Sequence, residues 1–228
     1  METSLNSQDF ISLTQPYNPP LPYYDEDSPV WLYSGSESVA AVPLDVVDWV
    51  LVQLRDADAP ENATSTTVIG QQAGFVLTDG TVVGLDGVSE LSFAASFSQN
   101  LYAVVFQRNH LGIISASGLS ESGGVYSYDF STGANQVLGG SNGHKELETG
   151  IWGMVAGDGN GNGIIQNTDE TAVWKTDLGQ SGYMGGDFDL NGIVQNTDET
   201  NYWKVNLGSG GQTPSKSNKE GYRSQVPE

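Results

Sequence analysis

The sequence predicts a mainly β protein: a β-sandwich followed by a small tandem pair of metal loop–helix motifs. Two observations carry that reading. Val, Thr, Tyr and Phe recur in short runs broken by turn signals, with 29 glycines and few helix-favouring stretches. Near the C-terminal end a segment is also repeated: GDGNGNGIIQNTDETAVWK over residues 157–175 and GDFDLNGIVQNTDETNYWK over residues 186–204. The chain divides accordingly into an extended leader (1–33), a β-sandwich (34–152), the tandem repeat (153–208) and a linker or tail (209–228).

Pro16, Pro19, Pro20, Pro22 and Pro29 bar a regular helix from the leader. Tyr17, Tyr23, Tyr24, Trp31 and Tyr33 make it aromatic, either to pin it across its own domain or to dock it on a neighbouring protein by β-addition. Asp25, Glu26 and Asp27 read as a solvated acidic knot. The opening METSLNSQDFISLTQ lacks the basic start and apolar stretch of a signal peptide, so the signal of an exported protein would lie upstream or be already removed.

Residues 44–55, LDVVDWVLVQLR, are apolar on both alternations: Val47, Trp49 and Leu51 against Val46, Val50, Val52 and Leu54. That is a strand covered on both faces. DADAPENATSTT (56–67) is a loop. Thr78-Asp79-Gly80 between 71–77 and 81–85 reads as a hairpin, and Asp86-Gly87 as a second. LYAVVFQ (101–107), LGIIS (111–115) and VYSYDF (125–130) complete a set of six or more strands, the spacing of a sandwich.

Arg108, Asn109 and His110 fall between two of these strands. No G-x-S-x-G elbow presents a nucleophile, and His110 and His144, the only histidines, are too few for a zinc or iron site. Both read as structural, and the chain as non-enzymatic.

The repeat carries oxygen-bearing side chains at alternate positions because a hard cation such as Ca²⁺ takes about six to eight oxygens. A twelve-residue loop supplies them from positions 1, 3, 5, 7 (through its carbonyl), 9 and 12. In the first copy these are Asp158, Asn160, Asn162, Ile164, Gln166 and Asp169; in the second, Asp187, Asp189, Asn191, Ile193, Gln195 and Asp198. Gly163 and Gly192 occupy the sharp turn at position 6. Ile165 and Val194 are placed to pair the two loops as a short β-bridge. Two Ca²⁺ sites are expected, the second tighter because it holds one more carboxylate and because Phe188 and Leu190 replace the flexible Gly159 and Gly161. A short helix follows each loop, with Thr168 and Thr197 as N-caps and Gly179 and Gly208 as stops. Trp174 with Leu178, and Trp203 with Leu207, share a helix face and form core between the helices.

The loop pattern resembles the duplicated loop–helix of type I dockerins. GIWGMVAG before Asp158 is too glycine-rich for a preceding helix, and Asp stands at position 12, both as in dockerins. The resemblance implies a protein partner recognised through loop positions 10 and 11, Asn167-Thr168 and Asn196-Thr197, and through Lys175 and Lys204. The tryptophan before each lysine departs from the dockerin pattern. More widely, VVDWVLVQLRDA, QAGFVLTDGTVVGLDG, VVFQRNHLGIIS, GGVYSYDFSTG, GHKELETGIWGMVAGDGNGNG and SQVP resemble a module recurring near the C-terminal end of large secreted surface proteins of Bacteroidetes-type bacteria, over roughly Gln15 to Pro227.

A formal charge of −20, from 8 basic and 28 acidic residues, argues against nucleic acid and anionic membranes as partners. With no cysteine, disulfides, thiolate metal sites and Cys nucleophiles are excluded. No run reaches the roughly twenty apolar residues of a membrane span. Weak calcium loops fill at extracellular calcium, so the expectation is an extracellular or cell-surface module for attachment, assembly or polymerisation. The alternative is a carbohydrate-binding module using Tyr17, Tyr23, Tyr24 and Trp31 as a sugar platform.

Overall fold

A computed structural model describes residues 1–18, 30–207 and 226–227. The chain is mainly β. Strand β1 (Val46–Ala57) is central, pairing with β2 (Val68–Leu77) on one side and β4 (Asn100–Gln107) on the other. Short β3 (Val82–Val83) extends the sheet beyond β2, and β5 (His110–Ile114) extends it beyond β4. The five strands are all antiparallel, in the order β3-β2-β1-β4-β5.

The double alternation of β1 has the expected result, and both of its faces are buried. Val46, Trp49 and Leu51 face Ala73, Phe75, Val104, Phe106 and Ile114, while Val50 and Val52 face Val105, Ile113 and Val137. Irregular chain provides the cover where a second sheet was expected. Leu5, Ile11, Tyr17 and Trp31 from the N-terminal segment lie on the first face, and Val137, Leu91, Phe93, Phe130 and Met154 on the second. The other strands among the described residues form only two-stranded ribbons, β6 (Ser120–Ser122) with β7 (Val125–Ser127) and β8 (Lys145–Glu148) with β9 (Ile151–Gly153). Of VYSYDF only Val125–Ser127 is strand, on an exposed ribbon, while Phe130 beyond it joins the cover.

The Asp79-Gly80 hairpin forms, with Gly80 at φ +89° and its N–H donating to the Leu77 carbonyl at 2.9 Å. Asp86-Gly87 makes a turn closed by Gly84 N–H to Ser89 O at 2.7 Å, but no paired strand follows it. A short helix, α1 (Ser4–Ser7), precedes the first proline. The Tyr17 hydroxyl donates to the Trp49 carbonyl at 2.8 Å, and its ring meets Trp31 edge-on at 5.3 Å, so these rings pin the leader to its own sheet. Pro19, Pro20, Pro22, Tyr23, Tyr24, Asp25, Glu26, Asp27, Pro29 and Gly208 lie outside the described residues, as does most of the tail. The tail's Val226 is buried in the sheet's core, and the buried Arg55 donates to the Pro227 carbonyl.

Candidate metal centre

The chain reaches the first loop in extended form, as the glycines of GIWGMVAG require. Val155 accepts from Leu111 N–H at 2.9 Å, and Ala156 bridges His110, so this lead-in lies along the free edge of β5.

Within each loop the acidic side chains turn inward because backbone N–H groups hold them. Asp158 Oδ1 and Oδ2 accept from the amides of Asn162 and Gly163 at 3.1 and 2.8 Å. Asp187 does the same with Asn191 and Gly192 at 3.0 and 2.9 Å. At position 12, Asp169 accepts from Asn160 and Gln166, and Asp198 from Phe188, Asp189 and Gln195. Asn160 and Asp189 at position 3 accept from the amides of Asn162 and Asn191, which in turn accept from Ile164 and Ile193. Carboxylate oxygens of Asp187, Asp189 and Asp198 gather within 4.8 Å of one another, close enough to hold one ion. The first loop repeats the hydrogen-bond wiring around two carboxylates, Asp158 and Asp169, with Asn160 and Asn162 at positions 3 and 5. At position 9 the Gln195 side chain is exposed, and the residue acts through its backbone: N–H to Asp198 and C=O to Trp174.

Each loop runs into a wide π-helical segment, Asp169–Trp174 or Asp198–Trp203, which tightens into α2 (Lys175–Asp177) or α3 (Lys204–Asn206). Thr168 and Thr197 sit at the starts without a side-chain capping bond, and the position-12 carboxylates reach back to loop amides, Asp169 to those of Asn160 and Gln166 and Asp198 to those of Phe188, Asp189 and Gln195. Trp174 and Trp203 are buried as expected, but Leu178 is 44 % exposed because the helix has ended before it. The two loops are not paired through Ile165 and Val194. Their side chains are core, Ile193 bridges Ser181, and Val194 exchanges backbone bonds with Gly179 and Gln180.

The loop pair is fastened to the sheet by the β4–β5 turn, Arg108-Asn109, and neither residue is exposed at all. A wholly buried hairpin turn needs internal partners for its polar groups. The Asn109 carbonyl accepts from Gly157 and Asp158, both at 3.1 Å, and its side-chain amide donates to the carbonyls of Gly185 and Asp187 at 3.1 and 2.7 Å. Arg108 pairs with the buried Asp48 at 3.0 Å, donates to the Met184 carbonyl and lies over the Tyr183 ring. Asp48 also accepts from Gln107 and Tyr183. His110 Nδ1 faces the oxygens of Gln107 and Asn109 at 2.8 and 2.9 Å, which makes it the protonated nitrogen of a neutral ring. Burial and the Arg108 charge push the pKa of this imidazole down to about 3. Arg108 and His110 are thus both engaged in bonds within and around the turn, and the part that Asn109 plays there was not legible in the sequence.

Burial places strain on the loop carboxylates. Desolvation raises Asp158 well above the usual carboxylate range, with Asp169 adding to it, and lifts Asp169 to about 7. Desolvation likewise takes Asp187 to about 7, against the pull of Arg108 and with Asp198 and Asp189 adding, and takes Asp198 to about 6. Among the described residues the ion pairs are Asp48–Arg108, Glu170–Lys175 and Glu199–Lys204, so no cationic side chain is paired with the loop carboxylates. An all-oxygen donor set of buried, unneutralised carboxylates fits a hard divalent cation.

Of the residues expected to meet a partner, Asn167, Asn196, Thr197, Lys175 and Lys204 are exposed and Thr168 is half-buried with its hydroxyl enclosed. Lys175 and Lys204 are drawn to Glu170 and Glu199 of their own helices, at 2.8 and 3.7 Å. Tyr17 and Trp31 are core residues, which removes them from any sugar platform. No helix among the described residues is long and apolar enough to cross a membrane. No protein-family model, curated protein or solved structure matches the chain.

Proposed function

We propose that the chain is a non-catalytic, calcium-binding extracellular module for attachment or assembly at a bacterial cell surface, its repeat acting as a dockerin-like pair. The observation that carries this reading is the convergence of Asp187, Asp189 and Asp198, with the same loop wiring repeated around Asp158 and Asp169. Each loop holds one Ca²⁺ through positions 1, 3, 5 and 12 and the carbonyls of Ile164 and Ile193. The ion acts structurally, neutralising carboxylates that the fold has taken out of water. Loops of this kind suit millimolar extracellular calcium. The exposed Asn167, Asn196, Thr197, Lys175 and Lys204 offer a protein partner the same chemistry twice.

Calorimetric titration of the chelator-stripped chain tests this. Two Ca²⁺ per chain are expected, with Mg²⁺ a poor substitute because it demands compact octahedral geometry. Asp169→Ala and Asp198→Ala should each remove one ion. No calcium uptake would end the proposal.

A further inference from the structure

We propose that Asn109 is the positioning residue that couples the two cation sites, so that they fill as one unit locked to the sheet. This rests on the reading of both loops as cation sites. A single residue touches the beginning of both. Its backbone carbonyl takes the N–H of Asp158, position 1 of the first loop, and its side-chain amide donates to the carbonyl of Asp187, position 1 of the second. Gly157 and Gly185, just before the two loops, bind the same two groups. The carboxylate that opens each site is thus placed by one buried turn.

The coupling residue is itself fixed in orientation. The His110 ring presents its N–H to Asn109 Oδ1, which leaves Nδ2 directed at the second loop. Arg108 holds the Met184 carbonyl beside it, and Asp48 on the central strand holds Arg108. An ion that draws in the ligands of either loop therefore orders the turn from which the other loop hangs. The sheet shares that ordering because the turn belongs to β4 and β5.

Asn109→Asp is the sharpest test. It keeps the side chain's size and the backbone carbonyl bound to the first loop, but replaces the donor aimed at Gly185 and Asp187 with an acceptor. Calcium titration of the full chain, followed by calorimetry and by indole fluorescence from Trp174 and Trp203, should show wild type taking two ions in one steep transition. In Asn109→Asp the transition should split, with the Asp187 site weakened by about tenfold or more, as expected for losing buried hydrogen bonds. Val52→Ala, in the core on the far face of the sheet, should lower stability without splitting the titration. If Asn109→Asp does not fold, Asn109→Ala, which removes the same donor without adding a charge, should split the transition in the same way. Two ions bound at unaltered affinity in one steep transition in either variant overturn the coupling while leaving the cation sites standing. No uptake by wild type overturns both.

Discussion

The Trp174 indole N–H donates to the carbonyl of Gln195 at 3.0 Å, and Trp203 returns the bond to Gln166 at 3.0 Å. Each helix is thereby joined to the other repeat's loop. Gly157 and Gly186 lie so close beneath the backbones of Trp203 and Trp174 that an added Cβ would meet their Cα atoms at 3.2 and 3.0 Å. The tryptophan that sets each repeat apart from the dockerin pattern is the residue that joins the pair.

Trp174→Phe should consequently weaken the site at Asp187 more than the one in its own repeat, and lower stability by about 1–3 kcal/mol through the unpartnered Gln195 carbonyl. Trp203→Phe should do the reverse. Thermal melting with calcium titration decides; a greater loss at the variant's own loop would mean that the indoles pack the helices and do not hold the loops.

Asp189→Asn gives the second loop the position-3 residue that the first has in Asn160. It should move the shared calcium transition to higher calcium, since ligand charge count sets affinity. It should also raise stability in chelator, because desolvation burdens the Asp189 carboxylate. The flexibility argument for ranking the sites is weaker than the charge argument. Gly161 in the first loop, at φ +70°, is held by Val30 N–H at 3.1 Å and lies against the Trp31 ring, where a Cβ would not fit. A transition left in place by Asp189→Asn would show that packing of this kind outweighs the carboxylate.

Metal-free and metal-loaded protein should respond oppositely to pH. Burial gives Asp169 and Asp187 folded pKa values of about 7 and Asp198 of about 6, above the 3.8 of an unperturbed Asp. Between about pH 4 and 7 the folded chain then holds more protons than the unfolded one, so stability in chelator falls as pH rises. Calcium displaces those protons, and its affinity rises over the same window. Melting at about pH 5 and pH 7.5, with and without calcium, checks both signs; a chelated protein that gains stability toward neutral pH contradicts the burial of these carboxylates.

Asp48→Ala should destabilise the chain by about 3–5 kcal/mol, the usual result of stripping one partner from a buried ion pair. Arg108 would also lose the brace that holds it toward Met184, so calcium affinity should fall as well. Denaturant unfolding gives the first quantity and titration the second. A stability loss with unchanged affinity would confine the pair's role to the sheet.

The wiring of the loops was legible in the sequence because its groups are local: positions 1 to 12 of one short segment, with a glycine where the turn must be. Strand β1 was legible because its apolar residues fall on both alternations. The cover on that strand was not, since nothing in VVDWVLVQLRDA distinguishes a facing sheet from Leu5, Tyr17 and Trp31. The Thr168 and Thr197 caps do not form although both residues have the preferred chemistry, because the backbone is already helical at each, with φ −64° and −66°, where a capping residue is extended. Asn109 was hidden because its partners Gly185 and Asp187 lie 76 and 78 residues further on. Only its unusual setting, a polar turn between two strongly apolar strands, marks the place.

The buried Arg108-Asn109 turn has a mechanical consequence. A pull on the repeat pair does not act first on the covalent link through residues 154–156. It enters the sheet through the bonds at Asn109 and the brace from Arg108 to Asp48, next to the ladder between β1 and β4. The peptide link carries load only after those bonds part. A cation bound in either loop, as proposed, would then bear tension, and its removal would lower the force at which the tether yields before the sheet unfolds.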